Sequence, residues 1–292
     1  MNLTADWRRD WRQILKLLHA TATAWLADKA GRLGAALAFY SILSLAPLLL
    51  LILSAAGAIF GAHAARGQIV AQLHDLFGTQ GAEVIQGIIK ASAHHKNDDI
   101  IATLISLAVL FVGASSVFGQ LQDALNTIWH VPPPKGSGVV NFIKKQLLAF
   151  VMVGGTGLLL VTSLAISMAI AVANKFAVGL LPQFAILFSI VNFIVGLIVT
   201  TALFAAIFKI LPNIDIAWRD VWTGAIFTTA LFIIGKVFIG LYLSHSGVTS
   251  SYGAAGSVLV ILIWIYYSAQ ILLFGAEFTK IYAKTFGSHQ TS

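Results

Sequence analysis

The chain has 292 residues, of which 58% are hydrophobic and 10% charged, and its mean hydropathy is +0.88. A soluble domain carries roughly a quarter charged residues, so the composition excludes that class and predicts an all-α polytopic membrane protein. The absence of cysteine excludes disulfide frameworks, thiol nucleophiles and thiolate metal sites, and the net charge of +7 reads as membrane topology rather than nucleic-acid binding.

Residues 1–32 contain no apolar run like that of a signal peptide, so no cleaved leader is expected and the first span itself directs insertion. Trp7, Trp11, Leu15, Leu18, Ala22 and Trp25 recur at helical spacing, while Arg8, Arg9, Arg12 and Lys16 fall largely elsewhere. That pattern predicts an amphipathic helix in the headgroup region, with its basic groups near anionic lipid. A soluble cap packed on the cytoplasmic side is the alternative.

Six spans are expected within a membrane domain of residues 33–284. The first, 33–60, contains Pro47, which cannot donate to the carbonyl of Leu43 and so predicts a kink. Residues 61–99 form an outer loop with two short amphipathic helical pieces. His94, His95, Asp98 and Asp99 cluster there, but adjacent histidines diverge on a helix and no His-x-x-x-His pair is present, so no metal site is expected. The second span, 100–129, exceeds a bilayer's needs; its last turns carry Gln120, Asp123 and Asn126 before Val131–Pro134 ends it.

The third span, 146–173, has small residues Gly154, Gly155 and Gly157 for close helix contact. The fourth, 184–211, holds Asn192, and the fifth, 220–243, holds Lys236. The sixth, 254–284, is uncharged from Gly256 to Ala276, about the length that crosses a hydrocarbon core. Along it Tyr266, Gln270, Glu277, Lys280 and Lys284 recur at helical spacings, a stripe that faces protein or water rather than lipid. Residues 285–292 are a short tail, and no inverted repeat relates the two halves.

With the N-terminus inside, thirteen of the 18 basic residues fall on the inner side, four on the outer side, and Lys236 within a span. The positive-inside rule therefore places both termini in the cytoplasm.

Ionisable and amide groups within spans are the candidate functional residues. Lys236 lies about 25 Å along its helix from the inner end; it either snorkels outward or faces a cavity holding an anionic group such as phosphate. Lys236, Gln270 and Asn192 are the candidate cavity or substrate contacts, the two amides having interhelical hydrogen bonding as their alternative role. Asp123, Asn126, Glu277 and Lys280 form a candidate inner-side polar cluster, with Glu277 and Lys280 expected as a surface-level ion pair. No catalytic residues and no cofactor are expected: there is no nucleotide-binding loop, and His19, His130 and His289 are the only histidines placed on the inner side.

Three stretches, GRLGAALAFYSILSLAPLLLLI (31–52), GASSVFGQLQDALNTIW (113–129) and SYGAAGSVLVILIWIYYSAQILLFGAEFTKIYA (251–283), resemble the YihY/BrkB family of bacterial inner-membrane proteins. The resemblance implies an envelope role, with lipid or lipopolysaccharide-precursor movement as a cargo class. The resulting expectation is a transporter or lipid-handling protein without its own ATPase. A non-transporting envelope scaffold or assembly partner is the alternative. A membrane-associated ribonuclease, a label some family members carry, has no supporting constellation of residues here. Expected partners are anionic membrane lipids and a homo-oligomeric or envelope protein partner, with no nucleic acid.

Overall fold

The computed structural model describes residues 3–44, 116–132, 184–245 and 254–288, with a few helical positions between 155 and 166. Pro47, the outer loop 61–99 and most of the 146–173 span lie outside the described residues. Among those described, every regular element is an α-helix: α1 is Leu3–Ala27, α2 covers 30–44, α3 covers 116–128, α4 is Phe184–Ile210, α5 is Trp218–His245 and α6 is Ala254–Thr285. Three stretches, Ser189–Ile210, Trp218–Tyr242 and Val258–Thr285, are long and apolar enough to cross a membrane.

The chain changes direction between α1 and α2 within two residues. Asp28 N–H still donates to Ala24 O (2.9 Å), but Lys29 adopts φ 53°, and its carbonyl accepts the first bonds of α2 from Arg32 and Leu33. The arm therefore ends at Ala27, and the next helix begins at residue 30 rather than at 33. α3 ends in a similar way. His130 N–H donates to Thr127 O (3.0 Å), Val131 N–H donates to Asn126 O (2.9 Å), and His130 has φ 53°. This is a Schellman motif with histidine at the left-handed position that glycine normally fills.

α5 and α6 pack as antiparallel neighbours through two matching Gly-x-x-x-Thr segments. A side chain on Gly224 would overlap Thr279, and one on Gly275 would overlap Thr228. Each threonine hydroxyl donates at 2.7 Å to the glycine carbonyl four residues earlier in its own helix, Thr228 to Gly224 O and Thr279 to Gly275 O. Small residues let the backbones approach where no hydrophobic force drives helices together, and the hydroxyls are satisfied without a partner across the seam. Between α4 and α5, buried Thr201 donates to Thr229 at 3.1 Å. Phe204, Phe232 and Trp264 form an edge-to-face series across α4, α5 and α6.

The buried core draws on α2, α3, α4, α5 and α6, with Leu125, Ile128, Phe208, Leu211, Val221 and Leu273 nearly or wholly inaccessible. It sits at the end of the bundle where α3 and α4 finish, α5 begins and α6 finishes. α1 lies against α6 at that same end.

Candidate functional site

The twenty or so residues of α6 before Glu277 carry no charge, yet the helix then places an acid and a base one turn apart in the core. Glu277 is fully buried and Lys280 is 2% exposed. Burial of either ion is costly unless it is paired and hydrogen-bonded, and the surrounding helix ends meet that requirement.

Lys280 Nζ donates to Asp28 Oδ2 at the α1–α2 break (2.9 Å) and to the carbonyl of Ile128, the last residue of α3 (2.9 Å). Glu277 Oε2 lies 2.6 Å from the same ammonium, and no other donor among the described residues reaches either Glu277 oxygen. An ammonium has three N–H groups; Lys280 gives two hydrogen bonds to the ends of other elements, and Glu277 adds an ion pair from its own helix. Its placement also follows from helix ends: the final carbonyls of α3 have no partner within that helix and carry partial negative charge, which favours a cation. Asp28, an anion at the C-terminal end of α1, stands in an unfavourable dipole field, and Lys280 offsets it.

His130 completes the group from the exposed side. Its Nε2 is 3.0 Å from Asp28 Oδ1, with the histidine side chain 62% and the aspartate side chain 13% exposed. An ionised carboxylate only accepts, so Nε2 carries the hydrogen. Burial alone pushes the Asp28 carboxyl up, but the adjacent Glu277 carboxyl, Lys280 and His130 outweigh that and hold it below its ordinary 3.8.

The inner-side cluster expected from sequence thus divides in two. Glu277 and Lys280 are not a surface-level pair; the two helix termini packed over them bury both. Asn126 serves a separate clamp on α3, its Oδ1 accepting from Asn213 N–H at 2.8 Å while Gln122 Nε2 donates to Leu211 O at 2.9 Å. Those bonds cap the end of α4. Asp123 faces outward on α3, its carbonyl accepting from the Thr127 hydroxyl at 2.8 Å.

The three cavity candidates lie on three different helices. Asn192 is exposed on α4, and Lys236 is half-buried on α5 beside Gly235, whose open side is occupied by Tyr267 and Ile271. Gln270 lies against α2: its Nε2 reaches Gly31 O at 3.4 Å, and Gly34 leaves no room for a side chain there. The groove that Gln270 lines, with Trp25, Leu231 and Phe274 among its walls, includes neither Lys236 nor Asn192.

Asp28 and His130 were not singled out by the sequence as site residues. A signal for Asp28 exists, because it is the one acidic residue between Asp10 and Asp75, immediately before a span. His130 had none, since its role depends on the left-handed turn that aims it.

A family model described as Virulence factor BrkB matches residues 21–292. A UPF0761 membrane protein of Methylibium petroleiphilum is 27% identical over 298 residues, covering 96% of this chain and 68% of that protein. A UPF0761 membrane protein of Glaesserella parasuis is 26% identical, with 74% of this chain and 73% of the relative covered. A third, from Pseudomonas aeruginosa, is 27% identical over 87% of this chain, which spans only 60% of that protein's length. No solved structure matches the chain.

Proposed function

The chain belongs to the Virulence factor BrkB family, whose relatives are named membrane proteins, and on that premise we propose that it is a transporter or lipid-handling protein of the bacterial inner membrane. The observation that carries this reading is the buried group of Glu277, Lys280, Asp28 and His130. A buried ion pair is weak evidence for stability, because apolar residues of similar volume often serve as well or better. Ionisable groups within a membrane-spanning helix are therefore read first as functional. Here two acids face one ammonium, so the group is neutral when the acids share one proton, and such pairs titrate as a unit. A proton taken up or released there changes the tie between α6 and the helix ends at Asp28 and Ile128. This supports gradient coupling, and the proposal includes no catalytic step.

The proposed orientation puts that end of the bundle in the cytoplasm. Lys16, Lys29, Arg32, Lys209, Arg219 and Lys284 all belong to segments that meet there, as the positive-inside rule requires. Membrane-impermeant thiol labelling of intact cells should reach Asn97→Cys and spare Lys29→Cys; the reverse pattern overturns the orientation.

A second reading, a non-transporting envelope scaffold, is favoured by the dry Gly-x-x-x-Thr seam between α5 and α6. A flux experiment separates the two. The full chain is reconstituted into vesicles of phosphatidylethanolamine and phosphatidylglycerol with a fluorescent lipid in both leaflets, and dithionite bleaches the outer one. Bleaching beyond the outer half that responds to a pH gradient and falls in Lys280→Met supports lipid handling. Bleaching that stops at the outer leaflet under every gradient favours the scaffold.

A further inference from the structure

Beneath α1 lies a groove of about 440 Å³. Trp25 and Leu26 of α1 form one wall, and Leu231 of α5 with Ile271 and Phe274 of α6 form the other. Its surface is almost wholly carbon. Leu231 sits about 20 Å along α5 from Trp218, within a stretch long and apolar enough to cross the bilayer. The groove therefore opens sideways at acyl-chain depth, where soluble partners do not reach.

Charge narrows the occupant. Among the described side chains from residue 13 to residue 44, the exposed ions are Lys16, Lys29 and Arg32. The one acid there, Asp28, is taken up by Lys280 and His130. Lys29 and Arg32 lie three and six residues after Leu26, Lys29 in the break that ends α1 and Arg32 in the first turn of α2.

We propose that this groove seats one acyl chain of an anionic phospholipid, whose headgroup is met by Lys29 and Arg32. Such a lipid ties the amphipathic arm to the α5–α6 pair. The site goes beyond the transport reading, since a resident lipid would serve a scaffold equally.

Native mass spectrometry of the full chain, released from micelles containing equal dioleoyl phosphatidylglycerol and dioleoyl phosphatidylcholine, tests it. One phosphatidylglycerol should remain bound, at least fivefold preferred over phosphatidylcholine. Leu231→Trp fills the groove and should lower retention at least tenfold. The double variant Lys29→Gln/Arg32→Gln should keep a lipid but lose the preference. If Leu231→Trp does not give a monodisperse protein, Leu26→Trp fills the groove from its exposed wall, Leu26 being 66% exposed. Absence of bound lipid, equal retention of the two lipids by the unaltered chain, or retention unchanged by the filling variant overturns the site. A lipid-free dimer that the filling variant dissociates also overturns it, by giving the groove to a second copy.

Discussion

The α5–α6 seam and the charged group near the C-terminal end of α6 hold the same helix by opposite means. Along the seam, Thr228 and Thr279 satisfy their hydroxyls within their own helices and sit over bare glycine backbones, hydroxyl oxygen nearest. Near the C-terminal end of α6, Glu277 and Lys280 have no such local solution and rely on Asp28, Ile128 and His130, far away in sequence. A self-satisfied seam changes little when a neighbouring element moves. A charge satisfied by the ends of two other elements loses a partner when either of them moves, so this end of α6 is where a conformational signal can enter it.

If that contrast is right, the largest effect comes from removing the shared cation. Lys280→Met leaves Asp28 and Glu277 facing each other with no counter-charge, and breaking a buried pair in this way costs about 3–5 kcal/mol. Thermal unfolding of the purified protein in nanodiscs should show a correspondingly large fall in Tm. Adding Glu277→Gln should recover part of it, because the second acid is then neutral. A single variant as stable as the unaltered chain would show the group to be solvated.

The seam should respond less, and only where the glycine is occupied. Gly275→Leu or Gly224→Leu drives a side chain into a threonine, and overpacking of this kind costs about 1–3 kcal/mol. Gly240→Leu on the same helix meets nothing within 4 Å and should lie within about 0.5 kcal/mol of the unaltered chain. Equal losses at Gly240 and Gly275 would show that close approach at the seam is not what the substitutions disturb.

How much of this was legible in sequence follows from the same contrast. The apolar runs ending at Ile210, Tyr242 and Thr285 depend on composition over a window, and hydropathy reads them directly. The end of α3 was also local, because prolines follow Val131 at once. Glu277 and Lys280 could be paired from their spacing, but their burial could not, since it comes from α1 and α3 termini more than a hundred residues away. The arm boundary was missed because Lys29, unlike glycine, gives no sign that it will adopt a left-handed turn. The Gly-x-x-x-Thr match is readable only when two helices are set antiparallel and in register, which a single chain pass does not supply.

A smaller effect concerns pH. Asp28 is held below its ordinary 3.8 in the folded chain, so the unfolded chain binds its proton first as pH falls. Its contribution to stability is complete above that ordinary value and is lost as pH drops through the lower, folded one. Unfolding followed from pH 7 to pH 3 should show this acid-side loss, and Asp28→Asn should remove that part of the slope while leaving the protein weaker at neutral pH. An unchanged slope in Asp28→Asn would assign the acid sensitivity to other carboxyls.

The smallest effect separates the turn at His130 from the contact it makes. His130→Ala loses the hydrogen bond to Asp28 but keeps a Cβ in the left-handed conformation, whereas His130→Gly loses both the bond and the strain. A left-handed residue with a side chain costs about 1–2 kcal/mol relative to its ordinary conformation, so the glycine variant should be the more stable of the two by about 1 kcal/mol. The lost bond is worth about 0.5–1.5 kcal/mol, so His130→Gly should lie near the unaltered chain while His130→Ala lies below it. Lys29→Gly supplies the control, because Lys29 has the same φ of 53° and an exposed side chain; it should gain stability without affecting the tie to Lys280. If His130→Gly instead falls as far as His130→Ala, the left-handed turn carries no strain for glycine to relieve, and the common loss is that of the bond to Asp28. The imidazole is then a full structural member of the charged group rather than its solvent-facing edge.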